Sequence, residues 1–325
     1  MFVAQLRYVN KFPRSVPGTL VLLMRIFGEP GERREPRRPE RARFLQSLRR
    51  PGRSGPVERE IDWRAYDPIA EAYARVQGPR TALVVADLMT LARVDSGHRL
   101  LDVGTGTGVG ARAAAAVVGR GGVAIGIDSA HGMLRVAIRD GGDAMYAQAE
   151  AIDLPFPDRT FDWVVASFVL SHFTRYETAL FDMLRVMKPA GRLGAASWGS
   201  SADEFGRTWD EVAYQFAGKE MLRDAYRRAM PWSERFSDPG SVKETLYDAG
   251  LRDLVVEKRE YRFDMSADDY LVSREIGATG RFLHQMLGDG LWEAFRERTR
   301  AVFAERFPAR FYDFRDVLLA AGRKP

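Results

Sequence analysis

The feature that most restricts this chain's fold is a regular alternation of short apolar runs and helical segments, opened by a glycine-rich turn. Apolar runs at 99–103, 122–127, 143–147, 161–167 and 191–197 suit buried strands, and segments of helical spacing near 107–119, 130–139 and 174–188 separate them. Strands joined through helices need right-handed crossovers, so the pattern predicts an α/β domain with a doubly wound parallel sheet. Only the 148–160 connection reads as a loop, marked by Pro155 and Pro157. Ahead of the first strand, Tyr66, Ile69, Ala70, Tyr73 and Ala74 recur at helical spacing, and a second helix covers about 80–93. After Trp198 the pattern changes to helical stretches at 203–230, 239–250 and 266–306, with strands near 252–262 and 310–320. These helical blocks interrupt the later strands, which makes them candidates for a lid over a substrate.

The net charge of +5 invites a nucleic-acid reading, but residues 1–60 hold 14 of the 49 basic and 6 of the 44 acidic side chains. The remainder carries 35 basic against 38 acidic groups, so the part that would do chemistry lacks a basic face. Residues 1–60 also hold seven of the 16 prolines, and 29–60 reads as disordered. The layout is therefore a disordered basic leader at 1–60, a core at 61–198, and helical lid insertions with the final strands at 199–325. The apolar stretch Leu20-Val21-Leu22-Leu23-Met24 makes a poor signal peptide, with Lys11 and Arg14 well inside the chain and no small-x-small cleavage site after it. No apolar run approaches the ~20 residues of a membrane span. The chain has no cysteine, which excludes disulfides, thiolate metal sites and a Cys nucleophile, and leaves a cytoplasmic location as the default. No metal site is expected.

The first strand runs into Leu101-Asp102-Val103-Gly104-Thr105-Gly106-Thr107-Gly108. Glycines here let the backbone turn sharply and let a ligand approach the main chain, and the helix beyond offers unpaired N–H groups. The second strand ends in Asp128, 20 residues after Gly108, where a carboxylate suits a ribose diol. The same residue would also serve as a helix N-cap. These two features alone fit a dinucleotide enzyme as well.

Residues 62–197 resemble a class I S-adenosylmethionine (SAM)-dependent methyltransferase of the small-molecule, ubiquinone/menaquinone-type group. The resemblance rests on five ordered motifs. Asp102–Gly108 is similar to the family's glycine motif, and Ile127-Asp128-Ser129-Ala130-His131-Gly132-Met133-Leu134 to its second-strand motif. Ala149-Glu150-Ala151-Ile152-Asp153-Leu154-Pro155-Phe156-Pro157 resembles the adenine-reading segment. Phe161-Asp162-Trp163-Val164-Val165 resembles the fourth strand, and Met187-Lys188-Pro189-Ala190-Gly191-Arg192-Leu193 the turn into the fifth. The resemblance implies a Rossmann-like sheet of seven strands with the last antiparallel, the run at 310–320 filling that place.

The resemblance also implies site residues. Asp102, Gly104, Thr105, Gly106 and Gly108 would line the methionine part of SAM, Asp128 and Ser129 the ribose, and Ser167 the end of the fourth strand. Met133 would cover the adenine or simply pack its helix. Glu150 would accept from the adenine amino group while the Ala151 N–H meets a ring nitrogen. The family more often has Asp at Glu150, and Asp153 is a rival for that contact. Tyr66 and Tyr73, on a leading helix similar to the family's, would place an aromatic edge beside the sulfonium or serve as packing aromatics.

Methyl transfer to an amine or a carbanion-like carbon needs little acid–base help, whereas an oxygen nucleophile needs a base near working pH. Of four histidines, His98 precedes the first strand and reads as structural, His131 sits near the adenosine, and His284 lies in the lid. His172, just past the fourth strand, is the candidate base; the alternative is a loop histidine bonded to a carbonyl. The family's Asn/Asp-Pro-Pro-Tyr signature of nucleic-acid enzymes is absent, Ser167-Phe168-Val169-Leu170 standing in its place. The expected acceptor is therefore a small molecule, with no nucleic-acid partner. Trp209, Tyr214, Phe216, Trp232, Phe282 and Trp292 suit either an acceptor pocket or the lid's own core. Two other readings remain: a nicotinamide-dependent oxidoreductase, which leaves 149–157 and 187–193 unexplained, and a SAM-binding protein without turnover.

Overall fold

The computed structural model describes residues 62–200 and 203–325. The expected leader at 1–60 and its apolar stretch lie outside the described residues. A turn at Asp67–Ile69 leads into helix α1 (Ala70–Val76) and then α2 (Gly78–Ala92). Pro79 opens α2 in its first turn, where a missing N–H costs nothing.

The alternation predicted for the core is present. It runs β1 (Arg99–Val103), α3 (Val109–Val118), β2 (Val123–Asp128), α4 (His131–Arg139), β3 (Met145–Gln148), β4 (Phe161–Ser167), α5 (Tyr176–Val186) and β5 (Met187–Trp198). Leu100, Leu101, Val103, Val164, Val165 and Leu193 are fully buried. Helices cover both faces of a parallel sheet, so its strands are continuous apolar runs instead of alternating ones.

Seven strands form one sheet in the order β3-β2-β1-β4-β5-β7-β6. The first five pair in parallel, whereas β7 (Arg310–Arg323) is antiparallel to both β5 and β6 (Arg252–Ser266). Chain order reverses between β1 and β4, which opens a crevice at their carboxyl ends, where ligands of such sheets sit.

Both late strands outrun their predicted ends. Pairing of β5 with β7 stops at Trp198 against Val317, while β6 and β7 continue to Ser266 against Arg310. This two-stranded overrun carries helices α6 (Glu204–Phe216), α7 (Lys219–Ala229), α10 (Ala267–Glu275) and α11 (Ala278–Arg306). Phe311 stacks on Phe205 of α6 at 3.8 Å. Trp209, Phe216 and Trp292 all meet Phe295 of α11 at 5.2–5.4 Å. Three of the six lid aromatics thus make the lid's own core.

The predicted helix at 203–230 breaks at Ala217-Gly218, and the one at 266–306 breaks before Ala278, with a further non-helical glycine, Gly288 (φ 68°). One helix, α8 (Ser233–Ser237), was not foreseen, since five residues hold too little periodicity; it buries Phe236, which meets Tyr176 at 5.3 Å. Helix α9 (Pro239–Asp248) starts at the predicted proline, capped by the Asp238 carboxylate on the Ser241 N–H. Among the described residues no helix is long and apolar enough to cross a membrane.

Candidate cofactor and acceptor site

Three glycines bend the chain between β1 and α3, and all three have left-handed φ: 70° at Gly104, 54° at Gly106 and 81° at Gly108. Their surroundings differ. A Cβ on Gly104 would lie 2.4 Å from Val169 Cγ2, in the segment after β4, whereas a Cβ on Gly106 would meet nothing within 4 Å. Gly104 therefore permits close packing, and Gly106 borders open space.

Asp102 and Thr105 hold this loop from inside. The Thr105 hydroxyl donates to Asp102 Oδ2 at 2.7 Å, and the Ala111 N–H gives Asp102 a second bond. Asp102 is 2% exposed and Thr105 7%, and burial pushes the Asp102 carboxyl up to about 6. Both were expected to line the cofactor; enclosed in this way, their side chains brace the turn from inside.

Asp128 closes β2 and joins two elements. Its Oδ2 accepts from the Gly106 N–H at 2.8 Å and its Oδ1 from the Ala130 N–H at 2.9 Å, just ahead of α4. A carboxylate has about four acceptor positions, so half remain open. Burial raises its pKa against these two bonds, and Asp67 and Glu150 add to the rise. Ser129 beside it is exposed. Met133 is buried in a cluster with Ala70, Ala130 and Val136, packed by Tyr66, Ile69 and Tyr73. That is the helix-packing role of its two readings.

Glu150 is exposed and Ala151 partly so, and the Ala151 N–H has no partner among the described residues. Two residues that sequence reasoning missed shape this loop. Arg185 of α5 reaches the carbonyls of Leu154 (2.9 Å) and Phe156 (2.8 Å), while Asp182 accepts from the Leu154 N–H at 2.5 Å and pairs with Arg185. Their spacing three apart on a helix face was the available signal.

At the end of β4, Ser167 Oγ is buried without a hydrogen-bond partner among the described residues. Phe168 then adopts a left-handed φ of 57° and stacks on Trp198 at 4.3 Å. Strain of this kind in a non-glycine residue gathers at functional sites. The following turn, Leu170–His172, places His172 Nδ1 3.4 Å from the Tyr66 hydroxyl. Tyr66 meets Tyr73 edge-on at 6.2 Å; burial raises the pKa of both, Arg281 opposes the rise at Tyr66, and the Asp128 charge adds a smaller push upward at each.

The lid joins this group through Arg281 of α11, also missed from sequence. Its guanidinium lies 4.4 Å above the Tyr66 ring and donates to the carbonyls of Arg64 (3.2 Å) and Ala65 (2.7 Å). Trp63 meets Phe282 at 5.4 Å beside it. Burial, followed by the Arg281 charge, pushes the His172 imidazolium down to about 4. So weak a base does not suit proton abstraction near neutral pH, which counts against the expected base role.

The other histidines lie elsewhere. His98 accepts from Trp163 Nε1 at 2.9 Å, the structural role expected of it. His131 is exposed, and His284 stacks on Trp292 while facing Asp289 at 3.3 Å. No cluster of metal-ligating side chains occurs among the described residues.

The strand order and the crevice at its switch point define a Rossmann-like α/β domain of the nucleotide-binding kind. The family described as "Methyltransferase domain" matches residues 101–195, and that of protein-L-isoaspartate(D-aspartate) O-methyltransferase matches 40–144. The ubiquinone/menaquinone biosynthesis C-methyltransferase UbiE of Ectopseudomonas mendocina is 35% identical over 174 residues, half of this chain and 68% of that one. Its counterpart in Azotobacter vinelandii is 34% identical over the same shares. The solved structure of the [4+2]-cyclase SpnF superposes with a TM-score of 0.51 at 19% identity, covering 80% of this chain and 94% of that one; this likeness speaks to the fold. The chain belongs to the SAM-dependent methyltransferase family, and SAM is its cofactor. Nothing in these comparisons favours a nicotinamide enzyme.

The residues present fit that cofactor. Open space faces Gly106, Asp128 keeps unspent acceptor positions, and the Ala151 N–H has no partner among the described residues.

Proposed function

We propose that SAM lies across the carboxyl ends of β1 and β2 and that a ring-bearing small molecule, of the quinone type named in the relatives, accepts its methyl group beneath the lid. Asp128 carries this reading: it ties the glycine loop to the start of α4 and still has acceptor positions for two ribose hydroxyls. The main chain at Gly104 and Gly106 would meet the methionine part, with Gly108 shaping the turn. Ser129 would border the ribose, and Glu150 with the Ala151 N–H would read the adenine. Tyr66 and Tyr73 would place their aromatic rings beside the sulfonium. SAM supplies an electrophilic methyl group, so the protein's task is alignment and exclusion of water.

The acceptor would enter between Ser167, His172 and the lid helices, with 61–198 acting as cofactor core and 199–325 as lid and completing strands. The slightly acidic body supports a small molecule over a nucleic acid, and the lack of cysteine fits a cytoplasmic place. The acceptor class is tested with methyl-labelled SAM and a reduced naphthoquinone that has an open ring position. Label in a ring carbon supports a quinone-type acceptor. Turnover on other phenols or amines with the naphthoquinol untouched rejects it.

A further inference from the structure

His172 would be read from sequence as a base, yet its neighbours give it a different task. The Tyr66 hydroxyl lies 3.4 Å from His172 Nδ1 and its oxygen also accepts a hydrogen bond from the Arg281 side chain, which leaves the phenol proton for the imidazole. A phenol near neutral pH keeps its proton and donates it to a nearby lone pair, and burial raises the Tyr66 pKa further. With the phenol as donor, Nδ1 would be the acceptor nitrogen and the neutral ring would carry its proton on Nε2. Nε2 itself makes no hydrogen bond to the described protein.

From these contacts we infer that His172 meets the methyl acceptor as a neutral hydrogen-bond donor through Nε2, its tautomer set by the Tyr66 hydroxyl. This rests on the methyl-transfer reading above and deepens it. Arg281 is the second positioning residue: its cation above the Tyr66 ring disfavours a second positive charge on the imidazole. Tyr66 arrives from the leading segment and Arg281 from α11, and these are the charged or titratable groups that meet the ring.

The acceptor therefore carries a carbonyl or hydroxyl oxygen that lies on His172. A donor on an oxygen lone pair makes that oxygen less nucleophilic, so the bound oxygen orients the molecule and the methyl goes to another atom. The methyl–sulfur bond of SAM would break as the new bond to carbon or nitrogen forms, S-adenosylhomocysteine would leave, and the proton displaced from the ring C–H or amine N–H would pass to solvent, so His172 itself takes up no proton.

The tautomer can be read directly by nitrogen NMR of the full chain carrying isotope-labelled histidine, saturated with S-adenosylhomocysteine. Expected is a pyridine-type Nδ1 and a pyrrole-type Nε2 for His172 throughout the range from about pH 5.5 to 8, over which an ordinary histidine titrates. Tyr66→Phe is expected to move both nitrogens toward the values of mixed tautomers. A pyrrole-type Nδ1, or an imidazolium appearing within that range, overturns the inference. Neither result bears on whether SAM binds, so the two readings fail separately.

Discussion

Arg80 on α2 and Asp313 on β7, 233 positions apart, form an ion pair of 2.6 Å in which both side chains are almost fully buried. Arg315 supports the same carboxylate at 3.2 Å and reaches Asp203 at 3.0 Å, while Arg80 also lies 4.7 Å from the Phe263 ring. Removing one partner strands the other as a buried charge. Asp313→Ala is expected to destabilise the fold by about 3–5 kcal/mol, the range for a broken buried pair. Urea unfolding checks this, and a midpoint within error of the parent's would show that the pair carries no such weight.

Gly104→Ala and Gly106→Ala should fail in different ways. Each forces a side chain onto a left-handed φ, which costs about 1–2 kcal/mol for an ordinary residue. At Gly104 the new methyl also strikes Val169, so the larger loss of melting temperature is expected there. At Gly106 the methyl projects into open space, where the cofactor is proposed to lie. Its stability loss should be small and its loss of SAM affinity large. Differential scanning alongside SAM titration separates the two, and equal behaviour would contradict the assignment.

Two buried groups give stability opposite pH dependences. His172 falls from 6.5 unfolded to about 4 folded, so its neutral form favours the fold above pH 6.5, and that stability is lost as pH drops toward 4. The full loss is about 3–4 kcal/mol at 1.36 kcal/mol per pH unit. Asp102 rises from 3.8 to about 6, so its share of stability grows as pH falls through 6 toward 4. In the parent the two offset. His172→Gln should therefore gain stability from pH 7 to pH 5 relative to the parent, and Asp102→Asn should lose it; matching profiles for all three proteins would refute both shifts.

Arg185→Ala should free the adenine-side loop. The guanidinium holds the carbonyls of Leu154 and Phe156 and pairs with Asp182. Losing these charge-assisted bonds is expected to cost about 2–3 kcal/mol and to speed amide exchange through 150–158. Unchanged exchange would mean that the loop holds itself.

Much of this site was legible in the sequence because its parts are local. The glycines, Asp128 and the 149–157 segment sit at strand ends whose positions follow from short-range periodicity and turn chemistry, and β1 and β4 lie where the apolar runs end. What stayed hidden was long-range. Arg80 finds its partner 233 positions away, and Arg281 reaches Ala65 from 216 positions away. No local pattern marks such pairs. The place of His172 could be read, but its low pKa comes from burial and from Arg281, which approaches from another element. For Asp102 and Thr105 the motif gave the right loop, and only the packing shows that they face inward.

Asp128 is proposed to anchor SAM at the carboxyl ends of β1 and β2. Isothermal titration of SAM into the parent chain and Asp128→Ala tests it most directly. Expected is saturable binding at one site per chain in the parent, with affinity reduced about 30–100-fold in the variant, or about 2–3 kcal/mol for two lost ribose bonds to a charged group. No binding to the folded parent, or equal affinity in the two proteins, would contradict the account.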